Sequence, residues 1–240
     1  AQVQPVLLAD VGHGGAIRPG AYFPIRITVD WIIEPDAEYS TEPEAARISV
    51  RLPQDSIYAV RIERDLTIQR GQRSTTVVYA RSQASVDEIE FELRSGGGRL
   101  LARGKAHSGD LSGWAPVADH EAIMLVAGKS SLPRSGWVFD HQNLSPVSVA
   151  EVEPGALPRE WPGYDGVSVV VLGDLGTDRL DALQVRTLRE WVRWGGHLAL
   201  SVTNQTDTYR QVLGDLQWPL TFGEYNSFEF DAGLSDVLAR

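Results

Sequence analysis

Cysteine is absent from the 240-residue chain. That excludes disulfides, thiolate zinc sites and a cysteine nucleophile. Lysine is scarce: Lys105 and Lys129 stand beside 20 arginines, a bias that speaks of a GC-rich genome more than of a function. No apolar run approaches the ~20 residues of a membrane-spanning helix. Positive charge is in deficit, with a net charge of −10. Ala1–Ala118 holds 13 basic and 15 acidic residues, net −2, whereas Asp119–Arg240 holds 9 and 17, net −8. The second half therefore lacks the basic face that nucleic acid requires. The five histidines, His13, His107, His120, His141 and His197, show no metal-ligand spacing. No G-x-C-x-G or G-x-S-x-G elbow occurs.

At 42% hydrophobic and 22% charged, the chain has the composition of a globular protein. It is long enough for one or two domains with a core that needs no metal. Residues 1 to about 108 alternate with period two. Ile25, Ile27, Val29 and Trp31 fall on one face of a run, and Arg26, Thr28 and Asp30 on the other. Ile48, Val50 and Leu52 repeat the pattern, as do Ile89, Phe91 and Leu93. Turn signals such as Arg18-Pro19-Gly20 and Ser95-Gly96-Gly97-Gly98 separate the runs. Short half-buried strands at this spacing predict an antiparallel, Ig-like β-sandwich over 1–110, although the Cys–Trp–Cys pattern of antibody domains is missing. Residues 104–119, rich in Gly, Ser and Pro, read as a linker.

The period then changes. Val167–Leu172 is an apolar, β-branched run, the mark of a strand buried on both faces; Ala122–Ala127, Val147–Val152 and His197–Val202 read as the other strands. Between Val167–Leu172 and His197–Val202, Leu180, Leu183, Leu188, Trp191 and Val192 recur at helical spacing. Asp178 or Thr177 is expected to cap that helix, and Gly195 to end it with a positive φ. Residues 119–240 thus read as a parallel α/β sheet of the flavodoxin-like kind.

Tyr164, Asp165, Leu180, Gln184, Leu188, Trp191, Val192, Gly195, Gly196 and Leu198 follow the pattern YD, hydrophobic strand, then L-x-x-x-Q-x-x-x-L-x-x-W-V-x-x-G-G-x-L. This resembles glutamine amidotransferase-like domains of bacterial membrane-anchored proteins. The line RPGAYFPIRITVDW resembles the opening of the β-sandwich that often precedes them. The resemblance implies a degenerate relative without activity, since amidotransferases use a cysteine nucleophile. It also implies an exported protein tethered by segments outside this sequence. An Ala1-Gln2 start fits removal of a signal peptide.

In such sheets ligands sit at the carboxyl ends of the strands. The candidate ligand edge is therefore Lys129, Ser130, Asp174, Thr203, Asn204 and Asp207. Gly128-Lys129-Ser130 looks like the tail of a phosphate loop, but Ile123 occupies the position of the required glycine. Asp174 more often caps a turn than binds a metal. A Ser-His-Asp set assembled from Ser201, His141 and Asp174 has no supporting spacing. Asn143 and Asn204 match the short glycosylation pattern. His197 is expected to be a partly buried packing residue. Trp191 is expected in the core and Trp194 at its rim; Trp161, beside Pro162, is the candidate exposed partner anchor.

The expected function is a non-catalytic interaction or scaffold module outside the cytoplasm, with no cofactor and another exported or membrane protein as partner. Two alternatives stay open: a hydrolase or amidotransferase-like enzyme at the strand-end edge, and a carbohydrate-binding module.

Overall fold

The computed structural model describes residues 3–34, 38–54, 58–83, 85–110, 113–118, 120–129, 147–175 and 179–200. The alternating half folds as two antiparallel sheets. One has the order β1 (Val3–Val11), β3 (Tyr22–Ile33), β6 (Ser74–Arg81). The other has the order β5 (Ala59–Ile68), β4 (Glu44–Pro53), β7 (Glu88–Ser95), β8 (Leu100–His107). Period-two residues meet between them: Phe23, Ile25, Ile27 and Val29 face Ile48, Val50, Leu52, Ile89, Phe91 and Leu93 in one core. The outer face of the four-stranded sheet pairs its charges across strands, with Arg47 on Asp65 at 2.7 Å and Arg51 on Glu90 at 2.8 Å. Exposed pairs of this kind stabilise little, but they keep that face polar and so fix which face turns inward.

The apolar runs of the second half form a fully parallel sheet of β10 (Ala122–Ala127), β11 (Val147–Val152), β12 (Val169–Leu172) and β13 (His197–Leu200), in the order β11-β10-β12-β13. The helix α1 (Ala182–Arg193) connects β12 to β13. A second core gathers Ile123, Leu125, Ala150, Val170, Leu172, Tyr164 and Leu188.

Helix α1 begins later than its sequence pattern suggests. Asp181 is the N-cap, accepting from the amides of Leu183 and Gln184, and the Gln184 side chain accepts in return from the Asp181 amide at 2.9 Å. Thr177 and Asp178, the expected caps, lie outside the described residues. With this origin the inward stripe is Gln184, Thr187, Leu188 and Trp191, and Leu183 is 57% exposed rather than part of the apolar face. Leu180 is buried ahead of the helix. Gly195 ends the helix with φ +100°, as expected.

The described residues of the expected linker, 104–110 and 113–118, are placed against the rest of the chain. Residues 104–107 belong to β8. Trp114 is buried in the sandwich core and donates its indole N–H to the Val86 carbonyl at 2.6 Å. β9 (Ala115–Pro116) then pairs in parallel with β2 (Ala16–Ile17), which directly follows the β1 hairpin tip. Gly, Ser and Pro there serve a return path along the first core rather than a flexible spacer. Further contacts among the described residues join the halves, with the Arg18 guanidinium donating to the Glu121 carbonyl. The Tyr22 amide donates to Asp165 at 2.9 Å, Arg64 pairs with Glu160 at 2.8 Å, and Arg26 reaches the Ala156 carbonyl at 3.4 Å.

Candidate functional site

The order β11-β10-β12-β13 places the point where successive crossovers diverge between β10 and β12. A doubly wound sheet receives ligands outside the carboxyl ends of those two strands. Here the two strand exits, Lys129 and Asp174, meet each other. The Lys129 amide donates to the Asp174 carbonyl at 2.7 Å, and the Asp174 amide donates back to Lys129 at 2.7 Å. Gly173 also donates to Ala127 at 2.8 Å. The backbone thus occupies the mouth of the crevice. Gly128 makes this possible: its φ is +83°, and a β-carbon there would lie 2.6 Å from the Asp174 carbonyl oxygen. Of the expected ligand edge, Lys129 and Asp174 are therefore brought together, but through their main chains. Ser130, Thr203, Asn204 and Asp207 lie outside the described residues, as do Ser201, His141 and Asn143.

A concavity lies elsewhere, between the two cores. A cleft of about 460 Å³ is bounded on the sandwich side by Arg26, Arg64 and Tyr79, and on the other by Glu151, Leu157 and Arg159. One lining residue is His13, which stands in the sequence as a histidine without metal-ligand spacing. The β1 hairpin turns through Gly14 and Gly15, at φ +57° and +86°, and His13 and Ala16 exchange backbone hydrogen bonds across that turn. The turn inserts His13 between the cores, where it is 5% exposed. Burial is the main reason its pKa falls from 6.5 to about 4; a hydrogen bond to the Gly163 backbone opposes the fall, and the nearby Arg26 guanidinium adds to it. The imidazole is therefore neutral at ordinary pH. Its Nε2 has no hydrogen-bond partner. The only sequence signal was the glycine cluster Gly12, Gly14, Gly15 around a single histidine.

The arginines of the cleft are paired: Arg26 with Asp10 at 2.9 Å, Arg64 with Glu160, and Arg159 with Asp181 at 2.6 Å. Tyr79 is half shielded, and burial raises its pKa, with the Glu160 carboxylate adding to the rise. Tyr164 is fully buried against Trp191, at 5.3 Å between ring centroids, and burial drives its pKa upward.

The third feature is an exposed aromatic cluster. Trp161 is 47% exposed and Trp194 76% exposed. Their rings lie 6.2 Å apart, and Trp161 meets the Tyr22 ring edge-on at 5.9 Å. Arg81 lies over the Tyr22 ring at 5.9 Å. The cluster joins the two halves, Tyr22 and Arg81 from the sandwich and both tryptophans from the second layer. Trp161 is exposed, as its place beside Pro162 suggests. Trp191 packs into the second core, and His197 is exposed rather than a packing residue. Among the described residues no cluster of metal-ligating side chains occurs, and no helix is long and apolar enough to cross a membrane.

No family model matches the chain, and no curated protein does. Solved structures give partial similarities. A superoxide reductase (neelaredoxin) from Ignicoccus hospitalis is 10% identical at a TM-score of 0.29, covering 43% of this chain and 77% of that one. Spo0M, a sporulation control protein from Bacillus subtilis, is 13% identical at 0.25, covering 45% and 47%. Beta-glucuronidase 2 from Bacteroides uniformis is 10% identical at 0.30, covering 86% and 25%. Similarities of this size place no constraint on the fold or chemistry of this chain.

Proposed function

We propose that this chain is a non-catalytic interaction module of the bacterial cell envelope, exported and carried by a membrane-anchored protein. In this reading it comprises an Ig-like sandwich and a flavodoxin-like domain of degenerate amidotransferase type. The observation that carries the reading is the exposed cluster of Trp161, Trp194 and Tyr22. Large aromatics left in solvent are the anchors that supply most of the energy in protein contacts. The strand order β11-β10-β12-β13 supports the flavodoxin-like assignment. The mutual pairing of Lys129 and Asp174 supports a module without ligand chemistry at the sheet edge. None of the structural neighbours named above is an amidotransferase, so that part of the reading rests on the sequence pattern.

The test is capture of a partner from the envelope fraction, with Trp194→Ala as the variant. Trp194 is exposed at the C-cap of α1, so melting temperature should hold while capture falls. Unchanged capture by Trp194→Ala would reject the aromatic surface. Ammonia release from glutamine, abolished by substitution of Lys129 or Asp174, would instead establish the enzymatic alternative.

A further inference from the structure

The tip of the hairpin between β1 and β2 belongs to both halves. Ile17 packs in the sandwich core and Ala16 in the second core. A β-carbon on Gly14 would lie 3.2 Å from the Ala150 side chain of β11, so the tip seats directly on the parallel sheet. His13, on the same tip, hydrogen-bonds the Gly163 backbone. We propose that protonation of His13 unseats this tip and opens the joint between the halves while both cores stay folded, so that the hairpin acts as an acid-sensitive latch.

The closed joint fits only the neutral ring. His13 is 5% exposed, and its Nε2 is enclosed without a hydrogen-bond partner. A proton added there becomes a donor with no acceptor and a cation shut away from water, and both are costly. The titratable and charged groups that share the cleft with the ring are Asp10 from β1, Arg26 from β3, Arg64 from β5, Tyr79 from β6, Glu151 from β11, and Arg159 and Glu160 ahead of β12. Asp10 is engaged by Arg26, and Glu160 by Arg64. Burial is the main reason the His13 pKa stands at about 4, and the charge that acts on the ring, the Arg26 cation, adds to it. Withdrawal of the tip returns the ring to water and to its ordinary 6.5. Between these values the open state takes up a proton that the closed state excludes. Each pH unit downward then favours opening by up to about tenfold, and the whole window by about 300-fold.

The rest of the joint yields in the same direction. The Tyr22 amide donates to the Asp165 carboxylate, and Arg64 pairs with the Glu160 carboxylate. Protonation weakens both acceptors. The backbone pairing of β2 with β9 does not titrate and keeps the halves tethered. The two cores are separate clusters, so each survives loss of the joint. Tyr22 and Trp161 meet edge-on across the same joint. On the reading of that cluster as the partner surface, the latch also decides when the surface is assembled.

The experiment uses the full chain, which has no cysteine of its own. A single Ala150→Cys, facing the tip, is labelled with 4,4′-dithiodipyridine across the acid range. Ala46→Cys in the sandwich core and Ala127→Cys in the second core report unfolding of each half. Corrected for the reactivity of free cysteine at each pH, labelling at position 150 should accelerate by up to about tenfold per pH unit between 6.5 and 4. The two core positions should stay slow, and far-UV dichroism should not change. His13→Gln should abolish the acceleration. Because loss of His13 threatens folding, Arg26→Gln provides a second reading: it removes the cation beside the ring and should move the acceleration to lower pH. The proposal is overturned if position 150 labels at a constant rate through the window, or no faster than both core positions. It is equally overturned if the acceleration survives in folded His13→Gln or, where that variant does not fold, stays unchanged in Arg26→Gln; either result assigns it to carboxylates such as Glu160 and Asp165. The labelling involves no partner, so its failure and the failure of partner capture are separate results.

Discussion

Gly196 lies flat against the indole of Trp191: a β-carbon on Gly196 would run into the fused ring carbons. Trp191 is in turn stacked on the buried Tyr164. The paired glycines after α1 therefore do different work. Gly195 adopts φ +100° with nothing within 4 Å of a would-be side chain, so its constraint is backbone conformation. Gly196 is a packing glycine.

The two constraints separate by substitution. Gly195→Ala forces a residue with a β-carbon into the left-handed region, at a cost of about 1–2 kcal/mol. Gly196→Ala overpacks the Trp191–Tyr164 stack, at a cost of about 1–3 kcal/mol. Tyrosine and tryptophan near-UV dichroism should change for Gly196→Ala and stay native for Gly195→Ala. Gly109, which has open space and no positive φ, is the proper control; Gly98, at φ +84°, is not. Equal spectra for the two variants would show that Gly196 is not set by the indole.

The capping box gives a second prediction. Asp181→Ala removes the acceptor for two free amides and the Arg159 contact, and should lower stability by about 1 kcal/mol. Gln184→Leu should cost more, about 1–3 kcal/mol, because the buried amide N–H₂ donates to the carbonyls of Pro154 at 2.9 Å and Leu157 at 3.0 Å, which would be left unpaired. Urea unfolding measures both. If Gln184→Leu proves neutral, water satisfies those carbonyls and the amide is dispensable.

These two sites show what the sequence made legible. Alternation of Ile25, Ile27 and Val29 with charged neighbours is a direct consequence of one buried face, and it located the sandwich strands. The apolar runs located the central strands β10 and β12 of the parallel sheet for a different reason, cover on both faces. The origin of α1 was not legible, because Leu180 and Leu183 mimic helical spacing while Gln184, a polar residue, is the one turned inward. Closure of the strand-end edge depends on the positive φ of Gly128 and on a long-range carbonyl, neither of which leaves a pattern. His13 was invisible because nothing in sequence shows that residues near positions 13 and 163 become neighbours.

A third prediction concerns the connection. Trp114 is seated in the sandwich core and Ala115–Pro116 pair with Ala16–Ile17. Proteolysis should enter at the exposed turn 108–110. The two pieces should then stay together on gel filtration and part only in denaturant. Immediate dissociation after cleavage would mean that the β2–β9 pairing and the Trp114 contact do not hold the halves.

His13 predicts an acid limb of stability with a definite sign. Its folded pKa, about 4, lies below the ordinary 6.5. Above pH 6.5 the residue is neutral in both states and contributes no slope. Between about 6.5 and 4 the unfolded chain takes up the proton and the folded one does not, so stability falls as pH falls. Below about 4 both states are protonated and the loss levels off, at about 3 kcal/mol as an upper bound. His13→Gln should flatten that part of the profile whatever it does to absolute stability. A variant with the same slope would assign the acid limb to carboxylates instead.

The aromatic cluster predicts that its two tryptophans differ in structural weight. Trp194 is 76% exposed and, among the described residues, its ring contact is with Trp161, whereas Trp161 sits between Tyr22 and Trp194 and so links the sandwich to the second layer. Trp194→Ala should change stability by less than about 0.5 kcal/mol, as for an exposed surface residue. Trp161→Ala should cost about 1 kcal/mol, because an edge-on aromatic pair is lost together with some buried area. The pair Tyr22→Ala and Trp161→Ala, measured singly and together, should show a coupling of about 0.5–1.5 kcal/mol. A coupling near zero would mean that the halves are held by contacts other than this ring pair, among them Arg64–Glu160 and Tyr22–Asp165. In that case both tryptophans would be free to engage a partner without disturbing the joint, and partner capture should then depend on Trp161 as strongly as on Trp194.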